Sequence, residues 1–251
     1  MDNKRIDIIL PVFNSKKFIF KTLVSIVNQT YKNWRLIIVD DASSDCSAKL
    51  ITNFINNNLY KKKIILIKNK KNKGQAFSRN IALKNCSSPY TAFIDSDDIW
   101  QKNKLKVQIN FMLKYNYCFS YTDYKTIKNK EIKTIKVPNF FNYNDFIKNT
   151  SIATSTMIIK KKILNRVSFP NLRLCEDYYF KCKILKLNNA YKCPGTYSFY
   201  RLRNDSLQSY RFKVLKAIWC INKNLNKMNY INNLTSVLFI ILNSLKKYAY
   251  R

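Results

Sequence analysis

Short continuous apolar runs alternate, over the first hundred residues, with stretches whose apolar side chains recur every three or four positions. The runs at residues 6–13, 36–39, 64–67 and 90–94 read as buried strands, the first interrupted by Asp7 and ended by Pro11. Between the first two, Ile19, Leu23, Ile26 and Val27 mark one face of a helix reaching Gln29, and Ala48, Ile51 and Ile55 mark a second helix before the third strand. Strand, helix, strand within about 35 residues is the spacing of a βαβ unit with a right-handed crossover and a parallel sheet. Beyond residue 100 the pattern predicts a helix over 103–114, strands over 118–127 and 154–159, an irregular basic loop over 128–150, and a helix opening at Glu176 with Phe180, Ile184 and Leu187 on its apolar side. From residue 210, Ile231, Leu234, Leu238, Ile241, Leu245 and Tyr248 fall three or four apart and end in Lys246, Lys247 and Arg251. This is a basic amphipathic helix suited to packing on the rest of the chain, on a partner subunit, or on a membrane interface.

Composition narrows the chemistry. The 251 residues, 47% of them apolar, suffice for one large domain with an appendage. There is no histidine, which excludes Ser-His-Asp and Cys-His catalysis and leaves a carboxylate to do any base work. Gly74 and Gly195 are the only glycines, so neither a dinucleotide-binding nor a P-loop glycine motif can be built. Seven dispersed cysteines without a Cys-x-x-Cys pair suit reduced thiols in the cytoplasm, and neither a signal peptide nor a spanning apolar run is evident.

The formal charge is +32, from 46 basic and 14 acidic side chains, and residues beyond 100 carry 29 of the basic and 6 of the acidic ones. Such a surface attracts polyanions, so nucleic acid and an anionic membrane face are both candidate partners on charge alone. Against that background eight acids fall in three clusters: Asp40, Asp41 and Asp45; Asp95, Asp97 and Asp98; Glu176 and Asp177. Phe93-Ile94-Asp95-Ser96-Asp97-Asp98 is either a solvated acidic turn or a clamp for a hard divalent cation and a diphosphate, with Asp95 and Asp97 aligned if the backbone stays extended. Asp40 and Asp41 end a strand, where open α/β sheets bind ligands, while Ser44 or Asp45 suits a helix cap. The basic loop through Lys73 and Gly74 to Arg79 reads as a solvated turn or as a cover over a nucleotide. Glu176 and Asp177 suit a first helical turn or a general base.

In order, Pro-Val-Phe-Asn at residues 11–14, Val-Asp-Asp-Ala-Ser-Ser-Asp at 39–45, Asn-Lys-Gly followed by Ser-Arg-Asn at 72–80, Asp-Ser-Asp-Asp at 95–98 and Glu-Asp-Tyr-Tyr-Phe at 176–180 resemble the family 2 glycosyltransferases over residues 6–209. The resemblance implies a GT-A fold: α/β, with a Rossmann-like, mostly parallel central sheet flanked by helices. Residues 1–100 would form the nucleotide-sugar half, 101–209 the acceptor half and 210–251 a helical extension. Pro11, Val12, Phe13, Asn14, Asp41, Lys73, Arg79, Asp95 and Ser96 would bind the donor, Asp41 at the uracil, Arg79 beside the base and Asp95 at the ribose. Asp97, with Asp95, would hold Mn²⁺ or Mg²⁺. Asp177 would be the catalytic base and Glu176 its support, in a single displacement that inverts an α-linked donor to a β-linkage.

In many relatives a later segment reads Tyr-Arg-x-His, and here Arg203 stands at the histidine position, a fixed cation that could hold diphosphate but not a metal. The expected activity is hexosyl transfer from UDP-glucose, or from UDP-GlcNAc, UDP-galactose or another nucleotide sugar, to a polyprenyl-diphosphate-linked saccharide in bacterial surface polysaccharide synthesis. The expected location is cytoplasmic and peripheral, on the inner face of the cytoplasmic membrane. A basic nucleic-acid-binding protein is the alternative of another class, but it leaves the acidic clusters unexplained, and no nucleic-acid module is recognisable.

Overall fold

The computed structural model describes residues 4–128, 131–202 and 211–249. Its first half is the alternation the pattern predicts: β1 (Ile6–Val12), α1 (Ile19–Val27), β2 (Trp34–Asp40), α2 (Ser47–Asn56), β3 (Ile64–Lys68), α3 (Gln75–Lys84) and β4 (Tyr90–Phe93). These strands pair in parallel in the order β3-β2-β1-β4. Because successive strand residues face opposite sides, each strand is apolar on both faces. Ile8, Leu10, Leu36 and Ile38 pack with Leu23, Ile26 and Ile51 of α1 and α2, whereas Ile9, Ile37 and Val39 pack with Ala76 and Ala82 of α3.

The second half brings in antiparallel neighbours. It comprises β5 (Ile99–Trp100), α4 (Lys104–Lys114), β6 (Phe119–Lys128), β7 (Glu131–Ile135), β8 (Phe140–Phe141), α5 (Tyr143–Phe146), β9 (Ile158–Lys160), α6 (Lys161–Leu164), α7 (Glu176–Leu185) and β10 (Ala190–Arg201). The sheet continues from β4 through β9, β6 and β10 to β5, with β9 antiparallel to both neighbours and β10 parallel to β6.

Two stretches differ from the sequence reading. Residues 128–150 are not wholly irregular, because β7 folds back on β6 as a hairpin partner. Thr154–Thr156 is a single 3-10 turn rather than strand, and this turn aims Thr154 and Ser155 at the acidic residues described below.

Two helices close the chain, α8 (Arg211–Asn224) and α9 (Tyr230–Ala249). They dock through polar groups: Tyr178 Oη donates to Asn222 Oδ1 (2.7 Å), Ser236 Oγ to the Ile147 carbonyl (2.6 Å) and Asn233 Nδ2 to the Trp219 carbonyl (3.0 Å). Of the apolar residues whose periodicity marks α9, Ile231, Leu234, Leu238 and Leu245 are exposed. Packing on the rest of the chain is therefore not their role, because the inward positions of this helix belong to Asn233, Ser236 and Ile240.

Asp7, which interrupts the first apolar run, ties three segments together. Its carboxylate accepts from Arg35 Nε (2.9 Å) and Nη2 (3.1 Å) on β2 and from the amides of Ser87 (2.7 Å) and Ser88 (2.8 Å) before β4. Burial raises its pKa, but the Arg35 and Ser88 bonds outweigh burial and leave it below the ordinary carboxylate value. Asp7→Ala strands those donors and should cost about 2–4 kcal/mol in denaturant unfolding at pH 7. A folded pKa below the unfolded one stabilises above the unfolded value of about 4, so the gap from wild type should close as pH falls below it. Unchanged stability at pH 7, or a gap independent of pH, would contradict this role.

Candidate active site

The carboxyl ends of β1, β2 and β4 form one rim, where parallel α/β sheets present ligand sites. Side-chain hydrogen bonds hold its loops together. Asn14, in the left-handed region at φ 45°, donates its amide to Ser43 Oγ (3.0 Å) and accepts from the Ser44 amide at Oδ1 (2.9 Å). Ser15 and Ser96 share a hydroxyl–hydroxyl bond of 2.6 Å, joining the β1 loop to the acidic turn. Asp45 accepts from the Lys16 amide at Oδ2 (2.9 Å) and from the Ser47 amide at Oδ1 (3.1 Å), so it serves the first turn of α2 and the β1 loop together. Pro11 and Val12 are buried in β1, and the Phe13 ring is exposed beside this rim.

Asp41 is buried, and its oxygens accept from the amides of Gly74 (2.7 Å) and Lys73 (3.1 Å) and from Asn69 Nδ2 (2.6 Å). It fixes the basic loop over the end of β2. Gly74 makes the fold-back possible at φ +91°, a backbone region that other residues adopt only with strain. The Lys73 ammonium lies over the Phe77 ring at 4.4 Å.

The acidic stretch after β4 is a turn. The strand ends at Phe93, and the Asp98 amide donates to the Asp95 carbonyl (3.1 Å), so Asp95 and Asp97 are placed by turn geometry and not by the two-residue period of a strand. Thr22 Oγ1 donates to the carbonyls of Ser96 (3.0 Å) and Asp98 (2.8 Å). Asp98 is fully buried and accepts from Ser155 Oγ and from the Arg201 amide (3.0 Å). Burial, then the charges of Asp97 and Asp95, push its pKa well above the ordinary carboxylate range. Ser155 Oγ also accepts from the Asp95 amide (3.0 Å), and Arg201 Nε donates to the Asp97 carbonyl (3.2 Å).

Arg79 connects this turn to the second half. Its guanidinium is buried against the Phe169 ring and donates to Asp95 Oδ1 (2.6 Å) and Glu176 Oε1 (3.0 Å). Beside Glu176, at the start of α7, Asp177 Oδ2 accepts from Lys181 Nζ (2.7 Å) and Thr154 Oγ1 (3.2 Å). Lys181, one turn further along α7 and buried, also donates to the Ile152 carbonyl (2.8 Å). The two neighbouring carboxylates titrate apart. Burial first, then the Asp177 charge, raises Glu176 to about 7. Asp177 is brought down to about 2, because the Lys181 ammonium and, more weakly, Arg79 outweigh the effect of burial. The Glu176 side chain is 10% exposed and that of Asp177 23%, so Asp177 is the more open of the pair.

Of the residues picked from sequence, Asn14, Ser96, Asp95, Arg79, Glu176 and Asp177 are thus linked through hydrogen bonds and ion pairs across the rim, Asn14 through the neighbouring Ser15. Asp41 and Lys73 belong to the adjoining loop, and Arg203 lies outside the described residues. Sequence reasoning missed Thr154, Ser155 and Lys181, and gave Arg201 no part. Lys181 carried a readable signal, since it stands four residues after Asp177 on a predicted helix. Ser155 carried none of its own, being one hydroxyl within the stretch 154–159 expected as a strand. Among the described residues no three metal-ligating side chains gather into a self-sufficient site. One or two aspartates facing an incoming diphosphate is the donor set that a hard divalent cation completes with substrate oxygens.

The chain is similar to several known proteins. A glucosyltransferase of Escherichia coli, WfgD, named for transfer from UDP-Glc to α-D-GlcNAc-diphosphoundecaprenol with β-1,3 linkage, is 37% identical over 257 aligned positions that cover 100% of this chain and 97% of that protein. A second E. coli protein named for the same reaction, WfaP, is 36% identical over 84% of this chain and 82% of its own. Among solved structures, the mannosyltransferase PcManGT of Pyrobaculum calidifontis, in complex with GDP-Man and Mn²⁺, superposes with a TM-score of 0.72 at 14% identity, covering 99% of this chain and 76% of that one, a likeness of fold. The model of the family described as "Glycosyl transferase family 2" matches residues 7–203, and the chain belongs to that family and is a glycosyltransferase.

Proposed function

We propose that this glycosyltransferase moves a hexose, glucose from UDP-glucose, to a polyprenyl-diphosphate-linked saccharide, with inversion to a β-linkage, during assembly of a surface polysaccharide. The observation that carries the reading is the joining of two acidic groups through Arg79: the turn at residues 95–98, and the start of α7, where Asp177, the more open carboxylate, follows Glu176. The choice of sugar and acceptor is supported by the near full-length similarity to WfgD.

In this reading Pro11 to Asn14 and Ser96 line the nucleotide, and Asp95 meets the ribose. Asp41 acts on the donor through the loop it fixes, which carries Lys73. Arg79 acts by holding Asp95 and Glu176 in place. Asp97 and Asp95 would hold Mn²⁺ or Mg²⁺, which when bound offsets the charge of the departing diphosphate. Arg201, whose guanidinium rests on the Phe18 ring at 4.9 Å and touches the Asp97 carbonyl, stands where a cation can also meet that charge. Arg203 is assigned to the same charge.

Among the described residues, Asp177 receives hydrogen bonds at Oδ2 and none at Oδ1. Oδ1 is therefore the atom that accepts the acceptor's hydroxyl proton as its oxygen attacks the anomeric carbon from the side opposite the diphosphate. Lys181 and Thr154 keep the carboxylate turned so that this oxygen faces the acceptor.

Asp177→Asn keeps the shape and removes the base, so turnover should fall by roughly 10²–10⁴-fold while UDP affinity holds, and Glu176→Gln should be milder. Near-normal turnover of Asp177→Asn, or an equal loss of UDP binding, sinks the assignment. Lys181→Met removes the ammonium that depresses Asp177, so the acid limb of the pH profile of kcat/KM should move upward by about one unit or more. A limb that stays in place would reduce Lys181 to a packing residue. Asp97→Ala, or excess chelator on the wild type, should abolish transfer and weaken UDP binding with the thermal unfolding curve unchanged; full activity in chelator contradicts the metal.

A further inference from the structure

The terminal helix α9 is amphipathic the wrong way round for a helix that belongs only to a soluble core. Asn233 and Ser236 are 1% and 0% exposed, while Ile231, Leu238, Leu242 and Leu245 on the other side are 70%, 50%, 52% and 55% exposed. Their spacings of three and four place them, with Leu234, on a single face. The inward polar groups bond the rest of the chain: Ser236 Oγ donates to the Ile147 carbonyl and accepts from Asn222 Nδ2 (3.1 Å), Asn243 Nδ2 donates to the Lys148 carbonyl (3.0 Å) and Asn233 Nδ2 to the Trp219 carbonyl, with the buried Asn233 Oδ1 left without a partner among the described residues. Hydrogen bonds therefore hold the helix in an orientation that turns its leucines outward. A contiguous apolar stripe of this kind marks a surface that meets another apolar phase.

Charge selects the phase. No Asp or Glu follows Asp205 in the sequence, whereas Lys213, Lys216 and Lys223 of α8, Lys227 between the helices and Lys246 of α9 are exposed. Two copies of this face would bring like charges together, whereas an anionic bilayer supplies the counter-charge and an apolar interior for the leucines. No helix among the described residues is long and apolar enough to cross a membrane. Position adds a third observation. Asn222 of α8 is bonded by Tyr178, the neighbour of Asp177, so the helical pair is fastened to the helix that carries the acceptor-side carboxylate.

We propose that the outward face of α9, with the lysines of α8 and α9, is a docking surface for an anionic lipid bilayer, on which the protein lies without spanning it. Its purpose rests on the lipid-linked acceptor proposed above, but the binding itself does not.

The test is co-sedimentation of the full chain with vesicles of phosphatidylcholine alone or with phosphatidylglycerol added. Binding should be strong on the anionic vesicles at low salt, weaken as salt rises, and be poor on the neutral ones. Leu238→Glu with Leu242→Glu should lower vesicle affinity about tenfold or more, with thermal unfolding, UDP binding and turnover on a short-chain, water-soluble acceptor at wild-type level. If that pair does not fold, Leu238→Gln and Leu245→Gln singly should each lower it roughly threefold. Absence of binding at low salt, equal binding to both vesicle types, or unchanged binding by the variants overturns the proposal. So does light scattering that finds a dimer which the variants dissociate, since a second copy would then cover the face. A wild type that binds vesicles but no UDP would count against the transferase reading alone and leave docking intact.

Discussion

A guanidinium taken out of water must be paired, and the buried Arg79 is paired, among the described residues, by Asp95 and Glu176. The two acids come from opposite halves of the chain, 16 and 97 residues away in sequence. Because the cation cannot be left without either, the turn at residues 95–98 and the first turn of α7 are held at a fixed separation. The start of α7 carries two carboxylates with opposite electrostatics. Burial and the neighbouring Asp177 charge raise Glu176 to about 7 despite its bridge to Arg79, while Asp177 keeps its charge against Lys181 and is lowered to about 2. Adjacent carboxylates thereby differ, one closed into the bridge and the other more open to solvent.

The 3-10 turn at Thr154–Thr156 supplies a second, neutral tie. Ser155 bonds Asp98 and the Asp95 amide, and Thr154 bonds Asp177. Hydroxyls suit this position because each can donate to one group and accept from another without adding charge. No cation is added to the acidic turn as a result, in a chain whose net charge is otherwise strongly positive. That contrast suits the diphosphate donor proposed above, which the lysine-rich surface would attract from solution and which would meet the acidic turn in company with a cation.

Much of this was legible in the sequence. The parallel core follows from the alternation of apolar runs and helical periodicity, since strands covered on both faces must be apolar throughout, and the acidic clusters stood out because acids are scarce. The failures have physical causes. Asp95 and Asp97 were aligned by assuming extended backbone, but a chain leaving a strand is free to turn, and the Asp98 amide closes one. Thr154 to Thr156 was read as strand from its β-branched residues, yet the contacts that decide it, to Asp98 and Asp177, lie far away in sequence. Periodicity found the apolar face of α9 but could not say which way it points. Hydrogen bonds from Asn233, Asn243 and Ser236 decide that, and none of them leaves a mark in a hydropathy pattern.

The central claim is single-displacement transfer with Asp177 Oδ1 as the base. It is tested most directly by incubating the protein with UDP-glucose and a GlcNAc-diphosphate lipid and reading the anomeric configuration of the newly attached sugar by proton NMR. The account predicts a β-glucoside, with the large coupling of a trans-diaxial anomeric proton. An α-glucoside would contradict it, because retention requires a second displacement or a front-face mechanism that this carboxylate, acting only as a base, cannot provide.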